Sequence, residues 1–287
     1  MNNSQKNGVQ RRRRPKRMDS VPRVTGNGEQ YQLKALARAL DVLDCFEDGE
    51  TTLNLKEIGA LVDLPESSLF RILLTLKSQG YLLQNADGSY RLPDKLLFGR
   101  LHERAERCRA IIRPHLGALA SRFDETASLA FLFGDQIRVL DVFETFHEVR
   151  MTNRPGRVLP PHCSSLGKVI TAFQEPLLME RMLEVYGLVR RTEYTIVDRR
   201  ALMDEYATIR NQGYAFDRQE TVLGGICIAA PVSERSGRVI AGISVSTPLV
   251  RMTPEREAEI RNTLVETARQ ASRDLAQSVT SPKLSCQ

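Results

Sequence analysis

Apolar positions change period along this chain, and the changes mark out its elements. Leu33, Leu36, Leu40 and Leu43 recur at three- and four-residue steps, the spacing of one helix face. The pattern breaks at "EDGE", where Gly49 stands. A second helix opens at "NLKE": Asn54 can cap it, and Glu57, three positions on, can reach back. Leu55, Ile58, Leu61 and Val62 supply its apolar face. Pro65 cannot continue a helix but can open one. The third helix then turns Leu69, Ile72, Leu73 and Leu76 inward and leaves Ser67, Ser68, Phe70, Arg71 and Lys77 off the stripe, with Gly80 at its end. In "YLLQNADGSYRL" two short β-prone runs flank Asp87-Gly88, a hairpin signal because the turn needs positive φ. Three helices, a tight turn between the last two, and a hairpin follow the order of a winged helix-turn-helix. In that arrangement the later helix enters the DNA major groove.

The second half has a different rhythm. "PDKLLFGRLHERAERCRAIIRPHL" keeps helical spacing through Leu97, Leu101, Ala105, Cys108 and Ile112, and predicts a connecting helix over 94–113 that ends near Pro114. "TASLAFLFGDQIRVLDVFET" reads as two strands joined at Gly134-Asp135. Helices follow over about 164–173, 176–186 and 200–212, and strands return at "GGICIAAPV" and "VIAGISVST". In the last helix Thr253 caps, Pro254 is first, and Ile260, Leu264, Ala268, Ala271 and Leu275 share a face. Strand pairs interleaved with helices give an α+β class with a mainly antiparallel sheet. The expected segments are a basic arm (1–30), a DNA-binding domain (31–93), the linker helix (94–113), a second domain (114–280) and a tail (281–287).

Charge sharpens this division. Residues 1–30 carry eight Lys/Arg against two acidic residues, and the remainder is balanced at 33 of each, so the pI near 9.2 belongs to the arm. Residues 31–93 hold six basic and nine acidic side chains, a net of −3, so charge alone does not mark them as a DNA binder. The arm could supply phosphate attraction or merely solubility. The 287 residues allow two domains. The longest apolar run, Val222–Val232, is short of the ~18 residues of a membrane span. The basic N-terminus has no apolar segment of the secretory type behind it. Five scattered cysteines without a C-x-x-C pair, and four histidines without i,i+4 spacing, argue against disulfides and a zinc site and for a reducing cytoplasm. No metal and no cofactor is expected.

"VLPPHCSSLGKVI" (158–170) offers three chemistries in outline. His162 and Cys163 are chain neighbours whose side chains diverge, whereas a catalytic cysteine needs its base within hydrogen-bond reach. Gly167-Lys168 lacks both the upstream Gly and the following Ser/Thr of a phosphate loop. Gly-x-Ser-x-Gly is absent. No catalytic residue is assigned, although an enzyme using Cys163, or the carboxylates of Asp217 and Glu220, stands as one alternative. A nonspecific nucleic-acid binder driven by the arm is another. Instead, Cys163 or Ser164 caps a helix that buries Leu166, Val169, Ile170 and Phe173, and Gly167 lets another backbone come close.

Both halves resemble the IclR family of bacterial transcription regulators. The resemblance lies in "ALARALDVLDCF…LKEIGALVDLPESSLFRILLTLKSQGYL", "GRVLPPHCSSLGKVITAF", "GYAFDRQETVLGGICIAAPV" and "GRVIAGISVSTP", covering about residues 33–277. The family signature falls on Gly213, Asp217, Glu220, Cys227, Ile228 and Ala229. Asp217-Arg218 departs from the acidic pair frequent there, and Ser233-Glu234 from an aromatic followed by Asp or Asn. The resemblance implies a winged helix-turn-helix, a linker helix and a GAF-like effector domain. It implies dimers or tetramers on pseudo-palindromic operator DNA, and control by a small molecule, with a small organic acid the best guess and repression the commoner sign. DNA contact is then expected from Ser67, Ser68, Phe70, Arg71 and Arg91, with the wing tip from Asn85 to Gly88 near the backbone. Effector contact is expected from Asp217, Cys227, Ser244 and Ser246, the two serines sharing one strand face. The helix start at Ser164 and Ser165 is expected at the lip of the same pocket, where free N–H groups suit an anion.

Overall fold

The computed structural model describes residues 33–46, 52–62 and 64–278. The basic arm, the tail, Cys286 and the break at Gly49 lie outside the described residues. The chain divides into two compact units, with the boundary after Leu97 and the second unit spanning Phe98–Val279.

The first unit holds α1 (Lys34–Asp44), α2 (Leu55–Val62), α3 (Glu66–Ser78), β1 (Leu83–Gln84) and β2 (Tyr90–Arg91). The capping box at the start of α2 forms as the sequence predicts. Asn54 Oδ1 accepts from the N–H groups of Lys56 and Glu57 (both 3.0 Å), and Glu57 Oε2 accepts from the Asn54 N–H (2.9 Å). On α3, Leu69, Leu73 and Leu76 are buried with Val42, Phe46, Ile58, Leu82, Tyr90 and Leu92, and Ile72 is packed against them. Two leucine assignments are corrected. Leu33, Leu36 and Leu40 are more than half exposed, and Leu61 is exposed on α2. The inward face of α1 runs instead through Ala39, Val42, Leu43 and Phe46. That set has helical spacing too, so period alone could not choose between the stripes. The hairpin turn is longer than the two-residue form: Asn85 N–H donates to Ser89 O (2.8 Å), and of the loop residues only Gly88 takes positive φ (83°). A lone bridge between Leu53 and Tyr90 ties the hairpin to the chain before α2.

The second unit is built on a six-stranded antiparallel sheet. Its strands are β3 (Thr126–Phe133), β4 (Gln136–Phe143), β5 (Val158–Leu159), β6 (Ala215–Arg218), β7 (Gly225–Ser233) and β8 (Val239–Pro248), in the order β5-β4-β3-β8-β7-β6. Gly134, at φ 60°, turns β3 into β4 as expected. The short strands β5 and β6 escape a periodicity reading because two and four residues are too few to show alternation. On one face pack α4 (Asp94–Phe123) and α8 (Pro254–Ser278); on the other pack α5 (Ser165–Ala172), α6 (Pro176–Tyr186) and α7 (Arg199–Gln212). The long strand β3 feeds both faces alternately. Ala127, Leu129 and Phe131 of β3 join the α4/α8 core, and Ala130 and Leu132 join the α5–α7 core. Ile260, Leu264, Ala268, Ala271 and Leu275 of α8 are all buried, as the spacing predicts.

The linker helix does not end at Pro114. Its 30 residues run about 45 Å with Pro114 inside. Proline removes one N–H bond to the preceding turn. The buried stripe Ala105, Cys108, Ile112, Leu116, Leu119, Phe123 continues unbroken past it. Burying three further large side chains, at about 1.5–3 kcal/mol each, is enough to offset that loss.

Candidate functional site

The second unit encloses a cavity of about 510 Å³, within the range of small-molecule sites. Its floor is set by strand register. Thr126 pairs with Ser246, Ser246 with Cys227, and Cys227 with Asp217, so one row of polar or polarisable side chains crosses β3, β8, β7 and β6. All four line the cavity. Ser244, also in the lining, sits two residues from Ser246, while Ile243 and Val245 face the α4/α8 core. Ser244 and Ser246 share a strand face as the alternation predicts, and strand register brings Cys227 and Asp217, expected from the resemblance, to the same cavity. It missed Thr126, although Thr126 and Ser128 alternate with Ala127 and Leu129 in the same way.

One wall is the start of α5. Ser164, Ser165 and Leu166 reach the cavity. Ser164 is the N-cap: its Oγ accepts from Gly167 N–H (3.0 Å) and donates to Pro160 O (2.8 Å). That hydroxyl is committed to the helix, so Ser165 is the freer of the two. Gly167 is required, because a Cβ there would lie 2.0 Å from Pro160 O. A second wall is the β6–β7 loop, which contributes Thr221, Val222 and Leu223 and meets the start of α5 where Thr221 Oγ1 donates to Cys163 O (3.3 Å). Asp217 Oδ1 pins this loop by accepting from the N–H groups of Glu220 (2.7 Å) and Thr221 (3.1 Å). Burial raises the Asp217 carboxyl above the ordinary range, with the Thr221 and Glu220 bonds and Lys168 opposing.

Beneath the walls lies a group that sequence reasoning passed over as part of a failed phosphate-loop match. Lys168, fully buried on α5, donates to Glu220 Oε1 (2.6 Å) and Glu205 Oε1 (2.9 Å). It thereby links α5, α7 and the β6–β7 loop. Burial pushes Glu220 up to about 7, against the pull of Lys168. The rim carries Arg150, Met151, Thr152, Asn153, Arg157 and Arg191. Only the residues just before β5 and the 190–195 loop bring these arginines in, and no periodic signal in those loops could have found them.

His162 and Cys163 diverge. His162 Nε2 meets Val189 O (3.0 Å). Burial pushes the Cys163 thiol up to about 11, with Thr221 and Arg191 opposing. With His162 turned to Val189 and the thiol held protonated, the pair is not set up as a nucleophile and base.

In the first unit, Ser67, Ser68, Phe70 and Arg71 of α3 line a shallow groove with Glu66 and Leu55. Arg71 and Ser67 are exposed, Ser68 is half-buried, and Phe70 is 52% exposed. Arg91 is half-buried beside the Leu92 carbonyl. Lys77, off the apolar stripe, is exposed and donates to Gln84 Oε1 on the hairpin (2.7 Å). Among the described residues no cluster of His, Cys, Asp and Glu could hold a metal ion, and no helix is long and apolar enough to cross a membrane.

Comparison with known proteins matches both units. The model of the IclR helix-turn-helix domain matches residues 35–86, and that of the bacterial transcriptional regulator IclR C-terminal domain matches residues 104–273. The chain is 35% identical to the HTH-type transcriptional regulator BhcR of Paracoccus denitrificans over 85% of this chain and 88% of that one. It is 27% identical to the transcriptional repressor IclR of Escherichia coli over 90% and 96%. Among solved structures, an IclR homolog from Microbacterium hydrocarbonoxydans complexed with 4-hydroxybenzoate is 28% identical, with a TM-score of 0.56, over 85% of this chain and 99% of that one.

Proposed function

Because this chain belongs to the IclR family of bacterial transcriptional regulators, whose members are not enzymes, we propose that it is a cytoplasmic, ligand-responsive repressor that binds operator DNA as a homodimer or homotetramer. In this reading residues 31–93, preceded by the basic arm, form the DNA-binding domain. The linker helix leads to an effector domain that ends near 280, and 281–287 is a tail. The observation that carries it is the polar row Thr126–Ser246–Cys227–Asp217, which floors a cavity in the same chain as an exposed helix-turn-helix face.

On the DNA side, Arg71 pairs with guanine or phosphate, Phe70 meets a thymine methyl, and Ser67, Ser68 and Arg91 contact the backbone. On the effector side, a small organic acid rests on Ser244, Ser246, Cys227 and Asp217, with its acid group toward Ser164 and Ser165. The first N–H groups of α5, at Ser165 and Leu166, have no partner within the helix and favour negative charge. The complex of a 28%-identical homolog with 4-hydroxybenzoate supports that ligand class. The ligand acts by binding one arrangement of the DNA-binding domains better than another; equal affinity for both would shift nothing.

The test is a gel-shift series on DNA flanking the chain's own gene, with and without organic acids. A sequence-specific complex is expected that weakens about tenfold in Arg71→Ala and responds to an acid. In Ser165→Ala and Ser246→Val the complex persists while the response fades. Loss of DNA binding in those folded variants, or no specific complex at any concentration, would refute the reading.

A further inference from the structure

Two cations in the cavity lining have no anionic partner among the described residues. Arg150 is bound by Glu144 Oε2 (3.1 Å) and by the His147 carbonyl (3.1 Å). Among the described residues, neither the Arg157 nor the Arg191 guanidinium meets a carboxylate, yet both line the cavity. They come from separate loops. Arg157 stands just before β5, where its carbonyl accepts from Val139 N–H (2.9 Å), and it is half-buried. Its charge reaches Cys227 on the sheet floor. Arg191 stands on the solvent-open rim, where its N–H donates to Thr195 Oγ1 (3.0 Å). Its charge reaches Cys163, next to the cap of α5.

The loops that carry them are tethered. Thr195 Oγ1 donates to Glu220 O (2.7 Å) and Thr192 Oγ1 to Gln219 O (2.7 Å), so the Arg191 segment is fixed to the β6–β7 wall. The lining they share offers hydroxyls, a thiol and Asp217, a carboxyl held by two backbone N–H groups. A ligand that displaces water from this space strips solvent from Arg157 and partly from Arg191. A single acid group would compensate one guanidinium and leave the other poorly paired, which costs affinity.

We infer that the cavity takes a dianion with two separate acid groups, and that Arg157 and Arg191 are its specificity-determining residues, one for each group. This deepens, and rests on, the reading of the cavity as the effector site. Carboxylate, sulfonate and phosphate share the required chemistry. Their second charge separates these ligands from monoacids such as 4-hydroxybenzoate.

The full-length chain can be titrated by calorimetry with succinate, glutarate, adipate and terephthalate, each beside its own monoamide, together with 3-phosphonopropionate and 4-hydroxybenzoate. At least one diacid is expected to bind about tenfold or more tightly than its monoamide, the loss of one charge-assisted contact. Arg157→Gln and Arg191→Gln should each cut that advantage to about threefold or less, Arg157→Gln the more because its side chain is less exposed. Both variants should keep the unliganded melting temperature. Tighter binding of 3-phosphonopropionate than of succinate, lost in the same variants, supports the inference and assigns one end to phosphate.

Equal binding of diacid and monoamide overturns it, as does an advantage that survives both substitutions. If monoacids bind and Ser246→Val removes them, the effector site stands and the dianion falls. If no probe binds, both fall together.

Discussion

The two units of this chain place their polar chemistry on opposite sides of the surface. In the first, nine buried residues among those described form one small core, nearly all apolar, and the candidate contacts with DNA all lie outside it. In the second, two apolar cores flank a sheet, and Lys168, Asp217, Glu220, Ser165 and Ser244 are buried between its strands and helices. A unit that reads a rigid external lattice needs only a stable platform and an exposed helix. A unit that recognises a small molecule must enclose it, and so must bury groups that cost stability unless they are paired. The contrast predicts that function and stability separate cleanly in the first unit and are entangled in the second.

The largest effect should come from breaking the buried pairing. Lys168→Met leaves Glu205 and Glu220 without their shared donor and should cost about 4 kcal/mol in chemical denaturation; a loss below about 1 kcal/mol would mean the network is solvated. Next, Leu73→Ala opens the small core and should cost about 3 kcal/mol. DNA binding should fall in step with unfolding of the first unit, while ligand titration of the second is unchanged. A parallel loss of ligand binding would erase the comparison.

Smaller still is a pH effect. Burial raises Glu220 to about 7 from an unfolded value near 4.5, so the folded state holds the proton more tightly. Stability from this group is therefore full below about pH 4.5 and declines as pH rises through about 7. Glu220→Gln should flatten that decline, on the order of 1–2 kcal/mol between pH 5 and 7 in thermal melts; an unchanged slope would assign it to other groups. The smallest change is expected at Leu40→Ser on the exposed side of α1, within about 0.5 kcal/mol. A large loss in the isolated chain would restore the leucine stripe to the core.

Legibility followed the same division. The helices of the first unit could be read because capping and apolar spacing are local: Asn54, Glu57, Leu69 and Leu73 sit where the pattern puts them. The error on α1 arose because two apolar stripes share one helix, and only tertiary packing selects Val42 over Leu40. In the second unit, Ser244 and Ser246 were legible as one face because alternation is local too. What joins them to Thr126, Cys227 and Asp217 is cross-strand register over more than a hundred residues, which no local pattern encodes. Lys168 was visible but given no role, since its partners Glu205 and Glu220 lie 37 and 52 positions away. Pro114 misled because a local rule met a longer stripe.

The alternation along β8 constrains how this molecule can evolve. Ile243 and Val245 serve the α4/α8 core, and Ser244 and Ser246 serve the cavity. Inserting or deleting one residue early in this strand would shift its parity, sending hydroxyls into the apolar core and aliphatic groups into the ligand space at once. Length changes here are thus doubly penalised, while substitutions at 244 and 246 leave the core untouched. New ligand preferences in this lineage should therefore accumulate on β8 as point replacements at 244 and 246, with insertions and deletions confined to the loops that carry Arg157 and Arg191.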